Sequence, residues 1–424
     1  MAADQLFVAS LVVPIGSDPI RSGGVLVRQR RILAVGPACE LARRWPHHDE
    51  VNLGRTVLLP GLVNAHTHLE LSGCDASALA GRSFADWILG LGSQLRRDAP
   101  DFAGRIAAAT RAGAAECLKH GVTCVGDISQ HQAITRRVLR DGPLRVISFA
   151  EALGLATLRP RFAQQLRAAI DFAAETDFLR TALSPHAPYT VDEEGYREAV
   201  ALSLEHDRPL CTHLAETVHE DDFLRDHSGA FRAVWERLGT WSDGVPIAGV
   251  GPIELAEAVG LLNGAALLAH VNHASDGDLD RLARGNASVV WCPRTHAYFG
   301  HPPHRWRAML ARGINVCVGT DSRASSPDLD VMEDLRLVAR QNPTIPPSLL
   351  MELVTSNAAA ALREDHSRGR LAPGMVADFA AFPHETSDPL AALLHEPIRC
   401  TSTWIAGRRV DPRASHGLPS NPAG

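Results

Sequence analysis

Several features that would place this chain quickly are missing. Lysine is nearly absent: Lys119 is the single one, and every other long basic side chain is arginine. Eight cysteines are present (Cys39, Cys74, Cys117, Cys124, Cys211, Cys292, Cys317 and Cys400), yet none falls in a C-x-x-C pair. That spacing excludes a cysteine zinc finger and a disulfide scaffold; it suits small core residues and a cytoplasmic setting. No apolar run approaches the roughly 18 to 20 residues that cross a bilayer. The early "LFVASLVVPIG" has no basic residues before it and no small-residue cleavage site, so it reads as a β-strand rather than a signal peptide. Net charge is only −6 and arginines cluster by twos and threes, which argues against a nucleic-acid or membrane surface. What remains is an ordinary globular composition over 424 residues, enough for one large domain and a smaller companion.

Patterning divides the chain. Residues 1–56 read as short strands with Gly and Pro as punctuation, as in "QLFVASLVV" and "GVLVRQRRILAVG". From residue 57 eight apolar β-runs follow: "VLLPGLVNAH", "GVTCVGD", "LRVISFAEA", "LRTALSPHA", "PLCTHLAE", "AALLAHVNH", "ASVVWCPR" and "INVCVGTD". Helical stretches such as "RIAAATRAGAAECLKH" separate them. Apolar runs alternating with helices indicate parallel strands buried on both faces, and eight such units predict a (β/α)8 TIM-like barrel over 57–364. Short strands return after 365, so the ends, 1–56 and 365–412, are expected to pair into one small β-sandwich domain. Residues 413–424 read as a disordered tail. The stretch 218–249 is long for a loop; it reads as helical and is expected to cover the barrel mouth, with Trp235 and Trp241 packing there.

The first run drives straight into His66 and His68. Positions i and i+2 of a strand share a face, so both imidazoles project together. Twenty histidines in this length give about one His-x-His pair by chance, and one is present, so the pair alone decides nothing. Context does. Barrel active sites gather at the C-terminal strand ends. His213 ends the fifth run, His270 the sixth and Asp321 the eighth, and His186 ends the fourth. Three imidazoles and a carboxylate are ordinary ligands of a divalent transition metal.

"PGLVNAHTHLE", "THLAET", "LAHVNH" and "VGTDSRAS", in that order, resemble the amidohydrolase superfamily from about residue 5 to 410. The resemblance implies metal ligands at His66, His68, His213 and Asp321, a proton-transferring Glu216, and His270 on strand 6, with His273 the weaker histidine of that pair. Members with two metals bridge them by a carboxylated lysine on strand 4; Lys119 lies before strand 2, so one divalent ion is expected, Zn2+ first, with Fe2+ or Mn2+ as alternatives.

A bound ion lowers the pKa of water from about 15.7 to about 7, supplying hydroxide at neutral pH. Asp321 would take its proton, Glu216 would protonate a ring nitrogen and then the leaving amine, and His270 would steady the developing charge. Such a site suits an electron-poor sp² carbon. "SPHAPYTV", "THLAETVHEDDFL", "WCPR" and "GTDSRAS" resemble the S-adenosylhomocysteine and aminofutalosine deaminases, and "SFADWI" fits the aminofutalosine branch. That likeness implies ammonia release from an aminated purine-type heterocycle or nucleoside, with His186 and Arg294 near the substrate. Strand 7 departs from it: "CPRTHAYFGH" carries Thr295 and His296 where small polar residues shape the pocket, with His301 and His304 close behind. An amidase or a chlorohydrolase of the triazine-hydrolase kind stays open, and a non-catalytic scaffold would not need the whole ligand set. The expected partner is a small molecule, with neither nucleic acid nor membrane; a homo-oligomer stays open.

Overall fold

The computed structural model describes residues 4–96 and 98–411. The tail expected at 413–424 lies outside the described residues.

The chain ends supply one mixed sheet. Its strands are β1 (Asp4–Val12), β2 (Ile20–Arg28), β3 (Arg31–Pro37), β4 (His48–Asn52) and β5 (Thr56–Pro60), then, far along the chain, β14 (Phe379–Pro383), β15 (Ser402–Ile405) and β16 (Arg408–Arg409). The order is β16-β15-β14-β5-β1-β2-β3, with β4 paired to β1. The antiparallel β5–β14 pair joins the two ends. Phe7 locks that join by packing edge-on against Phe379 and Trp404, with centroids 5.0 and 4.9 Å away.

Between these segments run β6 (Leu62–Thr67), β7 (Val122–Ser129), β8 (Arg145–Ala152), β9 (Leu179–Pro185), β10 (Leu210–Leu214), β11 (Ala266–His270), β12 (Ser288–Trp291) and β13 (Val316–Val318). These eight pair side by side in chain order, every pair parallel, with helices between them. This is a TIM-like (β/α)8 barrel. Every residue of β7, β10 and β11 is buried, as both-face coverage requires. Cys124, Cys211 and Cys317 pack with Val63, Ile147, Phe149 and Leu267 against Ala358, Ala359 and Leu362, so much of the cysteine content is small core filling.

Closure happens late. β13 is short, and the chain regains β6 only beyond it, through a parallel bridge between Thr67 and Asp321. Thr320 N and Asp321 N both donate to His66 O, at 3.2 and 3.1 Å. Asn64 clamps Thr320 from both sides: Nδ2 donates to its Oγ1 at 2.8 Å, and Oδ1 accepts its N–H at 3.1 Å. The seam of the barrel therefore coincides with the ends that carry His66 and Asp321.

The run "VLLPGLVNAH" proves to be two strands. Pro60 offers no N–H to continue a ladder, and a Cβ on Gly61 would stand 2.1 Å from Thr123 Oγ1. The chain breaks there, giving β5 to the terminal sheet and β6 to the barrel. Helices His219–Asp226 and Gly229–Arg237 occupy the stretch expected to cover the mouth. Phe231 stacks on Tyr189 with centroids 3.8 Å apart, and Trp235 donates Nε1–H to Tyr189 O at 2.9 Å. Trp241 packs outside, under Arg232. Among the described residues, no helix is long and apolar enough to cross a membrane.

Candidate active site

Seven side chains expected at the site meet at the C-terminal ends of β6, β9, β10, β11 and β13. His68 Nε2 and His213 Nε2 face each other at 3.4 Å, and Asp321 Oδ1 lies 3.5 Å from His68 Nε2 and 3.8 Å from His66 Nε2. The rings of His66 and His213 are 5.0 Å apart. His270 Nε2 points at Glu216 Oε1 at 3.4 Å. His186 stands beside His213, with ring centroids 5.0 Å apart.

The backbone turns sharply to achieve this. Ala215, His270 and Asp321 all have left-handed φ, at 48°, 72° and 58°. Non-glycine residues hold that region at a cost of about 1–3 kcal/mol each. Packing around the strand ends must offset it, and the side chains turn inward as a result.

Burial governs the electrostatics. It pushes the imidazoles of His66, His68 and His270 well below their usual range, and the neighbouring histidines push further in the same direction. His213 and His186 are held at about 4 for the same leading reason. These rings are neutral at pH 7 and present lone pairs. Burial lifts Asp321 to about 6, opposed by hydrogen bonds from Ser325 and Thr295. Glu216 is raised well above an ordinary carboxyl by burial first, then by the carboxylates of Asp321, Glu220 and Glu151.

Both ring nitrogens of His66 and Nε2 of His270 are buried without a hydrogen-bond partner. His213 Nδ1 meets the carbonyl of His186 at 3.0 Å, which places the proton there and leaves Nε2 as a lone pair aimed at His68 Nε2. A buried lone pair aimed at another imidazole and orphaned ring nitrogens are costly unless a cation satisfies them. The donor atoms of His66, His68 and His213 lie within 4.8 Å of one another, as do those of Glu216, His270 and Asp321. The set fits a divalent metal ion.

A cavity of about 430 Å3 opens above this floor. His68, Glu151, His186, Glu216, His270 and Asp321 line its base, and Phe84, Trp87, Tyr189, Phe231, Trp235 and Leu238 form apolar walls. That volume and lining suit a small organic molecule.

A family description, amidohydrolase family, matches residues 57–410. The chain belongs to the amidohydrolase family. This amidohydrolase is 29% identical to an aminodeoxyfutalosine deaminase of Deinococcus radiodurans over 78% of each chain. It is 30% identical to a 5-methylthioadenosine/S-adenosylhomocysteine deaminase of Halobacterium salinarum, over 91% of this chain and 86% of that one. Its fold superposes on the crystal structure of aminofutalosine deaminase from Helicobacter pylori with a TM-score of 0.84 at 22% identity, covering 96% of this chain and 100% of the other. It is a metal-dependent hydrolase with a pocket for a small molecule.

Other expected residues stand elsewhere in the amidohydrolase. Arg294 does not line the cavity. Its Nε donates to Asp334 Oδ2 at 2.8 Å, one terminal nitrogen to Asp328 Oδ1 at 2.6 Å, and the other to the carbonyls of Asp328 and Asp330. Its donors are committed within the protein, so the expected substrate contact is replaced by a brace between β12 and the helix Val331–Gln341. Thr295 and His296 do not shape the pocket either. Thr295 Oγ1 pairs with Ser325 Oγ at 2.9 Å, and Ser325 Oγ donates to Asp321 Oδ2 at 3.0 Å. His296 Nδ1 meets Asn272 Oδ1 at 3.0 Å, while Asn272 Nδ2 donates to Glu216 O at 3.0 Å. Both act from behind, on Asp321 and on the loop bearing Glu216. His304 stacks on Trp291 and, through Nε2, holds the carbonyl of His270 at 2.9 Å. His273 faces away, with Nε2 3.2 Å from His301 Nδ1.

Sequence reasoning missed two carboxylates. Glu220 accepts the amides of Ala215, Glu216 and Thr217 at 2.8, 2.6 and 3.3 Å, fixing the loop after β10. Glu151, on β8, stands 3.8 Å from both His186 Nε2 and His213 Nδ1. Its place at the end of the run "LRVISFAEA" is the one signal that would have found it.

Proposed function

We propose that this hydrolase is a deaminase of an aminated purine-type heterocycle or nucleoside, working with one divalent ion, Zn2+ for preference, in the cytoplasm. The observation that carries the reading is Glu216, a buried carboxyl whose proton affinity burial has raised, placed beside the metal-binding set and facing His270. Amine release needs a group that gives a proton to a poor leaving group at neutral pH, and a carboxyl raised in this way is such a group.

His66, His68, His213 and Asp321 would hold the ion. When bound, it lowers the pKa of water and polarises the electrophile. Asp321 accepts a proton at its carboxylate, with Ser325 fixing Oδ2. Glu216 delivers its proton at Oε1 to the ring nitrogen, recovers one from the oxygen that has added to the carbon, and gives that one to the amine as it leaves as ammonia; the proton taken up by Asp321 then restores Glu216. His270 Nε2 orients the oxygen nucleophile beside Glu216. The apolar walls exclude bulk water, which strengthens each of these contacts. The family membership and the names of the relatives support the same direction.

The test is ammonia release by the metal-loaded protein from a panel of aminated purines, adenosine derivatives, pterins and triazines. Release from one class, reduced about 10²- to 10⁴-fold in Glu216→Gln at unchanged melting temperature, is the expected result. No release from any of them, with about one metal ion per chain, would move the reaction to amide or C–Cl hydrolysis.

A further inference from the structure

One wall of the cavity holds polar atoms that the proton chemistry above does not use. Glu151 is buried, its side chain 4% exposed, and Oε1 has no hydrogen-bond partner. The side chain of Gln130 hydrogen-bonds to the same carboxyl. His131 stands next to Gln130, its side chain 10% exposed, with Nε2 also buried and unpartnered. Glu151, Gln130 and His131 all line the cavity.

Glu70 explains why His131 is presented this way. Its Oε1 accepts the amide of Gln130 at 3.0 Å, and its Oε2 takes Ser129 Oγ at 2.6 Å and the amide of His131 at 3.1 Å. The same Oε2 lies 3.1 Å from His131 Nδ1. A carboxylate only accepts, so Nδ1 carries the hydrogen and Nε2 is left as the outward-facing acceptor. Glu70 is saturated by the protein, whereas Glu151 Oε1 and His131 Nε2 are not. Neither His186 nor His213 satisfies Glu151: both are 3.8 Å away, and His213 Nδ1 is spent on the carbonyl of His186. An unmet buried carboxylate oxygen costs free energy until a donor reaches it.

We infer that Glu151 and His131 form a donor-reading wall that selects a substrate carrying hydrogen-bond donors, hydroxyl or amine, on the side that faces the ends of β7 and β8. This rests on the deaminase reading and names the specificity element within it. Two sources offer that chemistry, a sugar diol and a second ring amine, and both would give their hydrogens to the same two acceptors. A hydrogen bond to a buried carboxyl oxygen that the protein leaves unmet separates ligands by about tenfold or more.

The experiment uses the full-length, metal-loaded protein and two ligand pairs: adenosine with 2′,3′-dideoxyadenosine, and 2,6-diaminopurine with adenine. Equilibrium binding is measured for each ligand on the wild type, Glu151→Gln and Glu151→Ala, together with KM and kcat wherever ammonia is released. The expected result is at least about tenfold tighter binding of the donor-bearing member in one pair, falling to within about twofold in Glu151→Ala. Discrimination in the first pair assigns a sugar; discrimination in the second assigns a ring amine. The inference is overturned if neither pair is discriminated, or if the preference persists in Glu151→Ala. Loss of metal from both variants would overturn it too, making Glu151 a support for His213 instead. Binding ratios are readable without turnover, so failure of the wall and failure of the deaminase reading give different results.

Discussion

Glu220 makes no contact with the metal-binding set, yet three backbone amides converge on it, and these amides belong to the residues that carry Glu216 into place. Glu220→Ala strips three buried donors at once, and each unmet buried donor costs about 1–3 kcal/mol. The expected outcome is a loss of at least about 2 kcal/mol in denaturant unfolding, with activity falling alongside. Asp127 gives a different prediction. Its Oδ1 accepts the amide of Leu69 at 3.0 Å and its Oδ2 is unpartnered, and burial lifts its carboxyl to about 8 from an ordinary 3.8. The folded state therefore binds a proton that the unfolded chain has released, and stability falls as pH rises from about 4 to about 8. Asp127→Asn keeps the acceptor and removes the titration, so its melting temperature should decline less over that window. An equal decline in both proteins would show that Asp127 does not carry this dependence.

At the level of elements, the barrel seam sets the site. Gly319 lies where β13 meets β6, and a Cβ there would stand 2.7 Å from His66 O and 2.9 Å from His66 N. These are backbone atoms and cannot swing aside. Gly319→Ala should push the seam apart, costing about 1–3 kcal/mol and lowering metal content, because His66 and Asp321 flank the same opening. Metal analysis and thermal melting check this together; a variant with full metal and an unchanged melting temperature would refute it. The closing bonds of Asn64 to Thr320 belong to the same device.

For the molecule as a whole, metal and fold are linked. The converging imidazoles are neutral and buried, so an ion bound to the folded state stabilises it by mass action, about 4 kcal/mol at a thousandfold excess over Kd. Chelation should abolish activity and lower the melting temperature, and Zn2+ should restore both. A melting temperature indifferent to chelation would count against the His66, His68, His213 and Asp321 set as the ligands. The terminal sheet joins residues hundreds of positions apart through β5 and β14, so removing either end should expose the face of the other.

Much was legible beforehand, because it rests on local periodicity. Apolar runs alternating with helices required a parallel barrel, and histidines closing such runs had to gather at one rim, where His66, His68, His186, His213, His270 and Asp321 are found. The helices His219–Asp226 and Gly229–Arg237 followed from length and pattern, whereas 238–249, expected to be helical too, is irregular. Other features had no local signature. The division of one apolar run at Gly61 depends on Thr123. The committed donors of Arg294 depend on Asp328 and Asp334, and the roles of Glu151 and Glu220 depend on what β9 and the loop after β10 bring beside them. Sequence by itself determined the architecture and which polar side chains close its strands, since strand and helix periods are properties of neighbouring residues. Tertiary structure alone decided which polar groups are satisfied by the protein and which face the cavity, since a hydrogen bond is settled by distances between residues that the chain holds far apart.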